Sequence, residues 1–256
     1  MKTCIMNTKG GSSKSTTALQ VAASRYLWLQ EEIKLIELDD ENTDSLTFSR
    51  TEIETQQVKV GNGANLHGVL QDILLSSDNK VIDVGGNKTT TYVLEALKSS
   101  RMYHQIDLFI IPMSGGYQDV KNAKKTYDIV KDFGKPIIFA LSRVRNPDRI
   151  KFQYRQFYNT FDESQVDYFV LPDDDVIDLS RYLKKTIYEL YDDKEMQEKY
   201  ENAIVQYSDN NDYENIRLTS DILSILHDST RYTEEFLIPA FKKISKYDTK
   251  AVYHEK

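Results

Sequence analysis

Cysteine is nearly missing from these 256 residues: Cys4 is the only one, which excludes an internal disulfide framework and a metal site built from cysteines. Its place in the apolar 3–6 run predicts a core residue. The four histidines, His67, His104, His227 and His254, are scattered and form no helical metal-ligand pair. With only 5 prolines and 10 glycines against 40% hydrophobic residues, neither a fibrous nor a disordered chain fits, and a folded globule does. No apolar run approaches the roughly 20 residues needed to cross a membrane. The opening MKTCIMNTKGG lacks the apolar stretch of a secretory signal. An excess of positive charge is also lacking. The formal net charge of -7 is unsuited to gripping nucleic acid over a whole surface, although it permits a local basic patch. These absences predict a cytoplasmic protein, and the length suits one α/β domain with a small appendage.

What is present is an alternation of short apolar runs and helical spacings. Strands are expected at 3–6, 33–38, 58–60, 80–84, 108–111, 136–141 and 168–171. Pro112 and Pro172 are taken to stop the fifth and the last of these. Helices are expected at 15–29, 66–75, 91–97, 118–130, 176–191, 218–226 and 230–246, with the last interrupted or bent by Pro239. A turn is expected at 61–63. Such alternation with short connections predicts a mostly parallel sheet covered by helices on both faces. Residues 1–192 are read as the main domain and 193–256 as a charged helical extension packed on it.

Between the first strand and its helix the chain reads KGGSSKST, from Lys9 to Thr16. Successive amides in a loop of this kind face a phosphate, and the helix end adds favourable partial charge. A glycine-containing turn before a serine-rich helix start is the plainer reading of the same letters. The segment resembles the deviant Walker A motif of the ParA/MinD group of ATPases, which reads KGG-x-GK-[ST]-T. The resemblance extends over about residues 1–190 and implies a three-layer P-loop NTPase fold. It makes Gly10, Gly11, Ser12, Ser13, Lys14, Ser15 and Thr16 the nucleotide-binding loop. Lys14 would contact the β- and γ-phosphates, the Ser15 hydroxyl would complete a Mg²⁺ shell, and Lys9 matches the group's extra lysine. Ser13 stands where the group has glycine.

LIELDDEN, residues 35–42, resembles the group's second-strand motif. Asp39 matches the carboxylate that orients water, and Glu37 stands where aspartate is more usual. KVIDVGG, residues 80–86, resembles Walker B and the second switch. Asp83 would hold a magnesium-bound water, and Gly85 or Gly86 would sense the γ-phosphate through an N–H. Ser142 falls where the group usually has an asparagine near the base.

The implied activity is hydrolysis of ATP to ADP and phosphate by a nucleotide-dependent homodimer, with Lys9 reaching across to the partner's phosphates. Loops at 39–44 and 85–91 would follow the γ-phosphate. A stimulatory adaptor protein is the expected partner. Non-specific DNA is the expected surface, because Arg143, Arg145, Arg149, Lys151 and Arg155 cluster in 142–158 among aromatics. A solvated face, or a seal against the acidic 193–214 segment, would use the same residues. Residues 234–246 offer a weaker membrane-binding alternative of the MinD kind. A nucleotide-binding adaptor with little hydrolysis is a further alternative, given Ser13, Glu37 and Ser142. A metabolic kinase or reductase-like use of the fold is weaker, since no cysteine pair exists for an iron–sulfur centre.

Overall fold

The short apolar runs become the strands of one parallel sheet in the computed structural model, which describes residues 1–40, 47–61 and 65–248. The strands are β1 (Lys2–Ile5), β2 (Lys34–Leu38), β3 (Glu54–Val58), β4 (Lys80–Val84), β5 (Leu108–Met113), β6 (Ile137–Val144) and β7 (Asp167–Pro172). They lie in the order β3-β2-β4-β1-β5-β6-β7. Strands covered on both faces have no solvated side to alternate with, so β4 and β5 are buried at every position.

Alternate strand residues feed opposite faces. Ile5, Leu35, Val81 and Ile110 meet a helix made of Lys14–Thr17, a π-helical run Ala18–Ala23, and Ser24–Leu29, together α1. Cys4, Ile36, Ile82 and Phe109 meet α2 (Leu66–Leu75) and α3 (Lys88–Ser100) on the other. Burial pushes the Cys4 thiol up, which leaves it a core group rather than a nucleophile. Farther along the sheet, α4 (Tyr117–Lys131), α5 (Ile150–Gln153) and α6 (Arg155–Thr160) cover β5 and β6.

Several boundaries differ from the sequence expectation, each for a local reason. The strand expected at 58–60 is Glu54–Val58, a polar edge strand with β2 as its neighbour, so no apolar run marks it. Val60 is instead buried in the core. Pro112 lies inside β5, beyond Ile110, where the ladder with β1 has ended and its missing N–H is not needed on that side. Pro172 ends β7 rather than stopping it, on the sheet's other edge. The expected helix at 176–191 is two helices, α7 (Asp175–Leu183) and α8 (Ile187–Asp192). Lys184 turns left-handed at the break, and Thr186 with Glu189 forms a capping box that starts the second helix.

The chain continues into α9 (Lys194–Asp209), α10 (Tyr213–Tyr232) and α11 (Ile238–Ser245). A π-helical run, Thr233–Leu237, joins the last two, and Pro239 sits in the first turn of α11 directly after it. The guanidinium of Arg25, wholly buried in α1, donates to Asp248 at 2.7 Å and to the Ser245 hydroxyl at 2.7 Å. Asn42 and Asp44 of the expected switch loop, Gly63 of the expected turn, and 249–256 with His254 lie outside the described residues.

Candidate functional site

Strand order places β1 between β4 and β5, so the loop after β1 opens at the point where the chain's crossovers reverse direction. Residues 10–16 of that loop line a cavity of about 760 Å³ together with Asp39, Asp83, Gly85, Gly86 and Asn87. The three motifs are far apart in sequence and adjacent in space because β2 and β4 are direct neighbours, with Glu37 opposite Asp83.

The loop is braced from within. The Ser12 hydroxyl donates to the Lys9 carbonyl at 3.1 Å, and Lys14 Nζ donates to the same oxygen at 3.2 Å. Lys14 is buried, which pulls its ammonium down, while the Asp83 and Asp39 carboxylates oppose that fall. A buried cation needs anionic company, which the Asp83 and Asp39 carboxylates supply. Gly10 and Gly11 are exposed at the mouth.

Ser13 adopts φ 64 and ψ 31, the left-handed conformation that glycine accepts freely. The serine therefore carries strain that the usual loop residue avoids. Ser13→Gly is expected to raise unfolding stability by about 1 kcal/mol, read as a higher thermal midpoint. A lower midpoint would mean that the serine side chain holds the loop.

Lys9 points elsewhere. Its ammonium forms an ion pair with the buried carboxylate of Asp119 at the start of α4, and the Ser114 hydroxyl donates to that same carboxylate.

The carboxylates are unequal. Burial pushes the Asp83 carboxyl up from 3.8 to about 7; the Ser15 hydroxyl, hydrogen-bonded to it, and Lys14 hold it down, while Glu37 and Asp39 add to the rise. No hydrogen bond from the described residues reaches Asp83 Oδ1, although the atom is buried. An orphaned carboxylate oxygen beside a serine hydroxyl is the donor set that a hard cation uses, so Ser15 and Asp83 fit magnesium. Glu37 is buried next to them.

Asp39 and Gly85 form a tight joint. The Gly85 N–H donates to the Leu38 carbonyl at 2.8 Å. A Cβ on Gly85 would stand 2.8 Å from Asp39 Cγ and 3.0 Å from the Leu38 oxygen, and one on Gly86 would stand 3.0 Å from Gly10 Cα. Gly85→Ala is expected to cost about 2 kcal/mol, seen as a lower urea midpoint with unchanged slope. An unchanged midpoint would show that the strand ends shift freely.

Asp40, which the motif reading left without a role, accepts the N–H groups of Val60 and Gly61 at 2.7 and 2.9 Å. It ties the β2 end to the exit of β3, and Gly61 reaches the cavity wall. The DNA-contact candidates divide. Arg145, Arg149, Lys151 and Arg155 are exposed near Phe152, which is 74% exposed. Lys151 pairs with Glu163 at 3.2 Å. Arg143, also exposed, lines the cavity, as does the exposed Arg181, which sequence reasoning missed for want of a motif. Tyr154 and Phe157 belong to the core rather than to an exposed aromatic surface. In the 234–246 segment Leu237, Ala240, Phe241 and Ile244 are likewise buried, which removes the apolar face a membrane would take. Among the described residues no helix is long and apolar enough to cross a membrane.

No family model and no curated protein matches the chain. Solved structures do match. A nucleotide-binding protein in complex with ADP from Archaeoglobus fulgidus superposes with TM-score 0.54 at 11% identity, over 72% of this chain and 86% of that one. Apo McdA from Cyanothece gives TM-score 0.54 at 14% identity, over 74% and 92%. The MinD cell division protein of Aquifex aeolicus gives TM-score 0.54 at 13% identity, over 73% and 87%. The likeness is one of fold: the chain carries the three-layer P-loop architecture that these structures share.

Proposed function

We propose that the chain is a magnesium-ATP-dependent dimerising switch ATPase, acting in plasmid or chromosome partition through non-specific DNA binding. The observation that carries this reading is the buried Lys14 ammonium, set in a glycine- and serine-rich loop among the Asp39 and Asp83 carboxylates. Ser15 and Asp83 would hold magnesium, which supplies charge neutralisation for the β- and γ-phosphates when bound. Lys14 would bind those oxygens, and Asp39, fixed against Gly85, would orient the attacking water. Loss of the γ-phosphate would relax the Asp39–Gly85 joint.

Lys9 would act between protomers. Asp119 holds its ammonium within its own chain, and a closed dimer would exchange that carboxylate for the partner's more highly charged phosphates, where water is excluded. The exposed Arg145, Arg149 and Arg155 would contact DNA phosphates without reading sequence. A second reading, an adaptor that binds nucleotide and scarcely hydrolyses it, is favoured by the strained Ser13.

Light-scattering molar mass with magnesium and ATP, ADP or no nucleotide tests this. Doubling is expected with ATP alone, lost in Lys14→Ala, and lost in Lys9→Ala although that variant still binds nucleotide. An unchanged mass with ATP bound would sink the dimer switch and favour the adaptor. Binding of unrelated duplexes with a steep salt dependence is the expected DNA result.

A further inference from the structure

Beside the phosphate-facing cavity lies a smaller one of about 230 Å³, walled by Leu171, Pro172 and Ile177. Arg143 and Arg181 line both cavities and so stand at their junction. Arg143 is held there by an unusual backbone. It adopts φ 57 at a register shift between Ser142 and Val144, where β6 bulges against β7. Left-handed backbone in a residue with a Cβ is strained and persists only when its surroundings impose it. Here they do. The Gln153 side chain donates to the Arg143 carbonyl at 2.8 Å and accepts the Arg145 N–H at 2.9 Å, and the Tyr154 hydroxyl donates to the Ser142 carbonyl. Those braces keep a guanidinium over the cavity that an ordinary strand would carry elsewhere.

Several side chains that could read a base by hydrogen bonds are otherwise engaged. The Ser142 hydroxyl is buried and donates to the Ala140 carbonyl at 3.4 Å. Asp174 accepts the Val176 N–H and pairs with Arg231 at 2.9 Å, and Asp178 pairs with Arg181 at 2.8 Å. The exposed Asp173 carboxylate can accept an exocyclic amine from either purine. Planar guanidinium groups, by contrast, stack on any aromatic ring.

We infer that Arg143 and Arg181 hold the nucleobase by stacking at the smaller cavity, and that the site therefore accepts adenine and guanine nucleotides alike. This rests on the nucleotide reading above and assigns Arg143 to the nucleotide rather than to DNA. Stacking selects a flat ring, whereas discrimination between purines needs polar groups placed for one edge pattern.

Equilibrium titration with Mg-ATP, Mg-GTP and inorganic tripolyphosphate tests it on the full chain. ATP and GTP are expected to bind within about threefold of each other. Arg143→Ala and Arg181→Ala are each expected to weaken both nucleotides about fivefold or more, leaving tripolyphosphate unchanged. Arg143→Lys, which keeps the charge and loses the plane, is expected to stay weak for nucleotides. A preference for ATP near a hundredfold, or an equal loss of tripolyphosphate in the alanine variants, would overturn the inference. Binding of tripolyphosphate without either nucleotide would also overturn it while keeping the phosphate loop. Binding of none of the three by the unaltered protein would remove the nucleotide reading itself.

Discussion

Lys14→Ala is expected to weaken binding of Mg-ATP about a hundredfold, because it removes charge-assisted hydrogen bonds worth roughly 3 kcal/mol from a buried site. Two features make the effect large. Lys14 is buried, so water cannot replace the ammonium, and its Nζ is already aimed by the Lys9 carbonyl 3.2 Å away. The change should spare the fold. The ammonium contributes no apolar contact, and burial already disfavours its charge. Isothermal titration of both proteins, with circular dichroism to confirm folding, reads the outcome. Binding reduced less than fivefold would place the phosphates away from the loop, and the ATPase reading would go with them.

Without magnesium or nucleotide, the protein is expected to lose stability as pH rises from about 4 to about 7. The Asp83 carboxyl is raised from 3.8 to about 7 in the fold, so the folded chain holds a proton that the unfolded chain has released. Wherever the folded state binds more protons, rising pH destabilises it. A rise from 3.8 to about 7 corresponds to about 4 kcal/mol, an upper value for a group that can relax on ionising. The loss should be complete above the folded pKa, and the stability fully present below the unfolded one. Thermal midpoints from pH 4 to pH 8 would show it. Asp83→Asn, which cannot ionise, should flatten the slope. A slope that survives in Asp83→Asn would assign the titration to another group.

Much of this was legible locally. The strand at 80–84 is legible from its letters, and the structure has it at Lys80–Val84, because Val81, Ile82 and Val84 are branched apolar residues suited to a strand buried on both faces. The helix at 66–75 was equally plain, since its spacing Leu66, Leu70, Ile73, Leu74 has one face to bury. The polar edge strand β3 is displaced from its expected place at 58–60 to Glu54–Val58, because a strand with a single neighbour needs no apolar signature. The break between α7 and α8 was written as a capping box at Thr186 and Glu189, but the apolar spacing on either side hid it.

The sequence by itself determined the parts of the candidate site: a glycine- and serine-rich loop carrying Lys14, two strand-end carboxylates, and Ser13 at a position that takes a left-handed backbone. These follow from chain-local chemistry, in which residue type and spacing decide what each segment can do. Only the tertiary structure decided how the parts meet. It set Glu37 opposite Asp83, gave Lys9 to Asp119, and brought Arg143 of the basic cluster to the wall of the cavity beside that loop. Those outcomes depend on sheet order and on one bulge in β6, which are settled by packing between segments far apart in the linear chain and, at the bulge, by hydrogen bonds from the following helix.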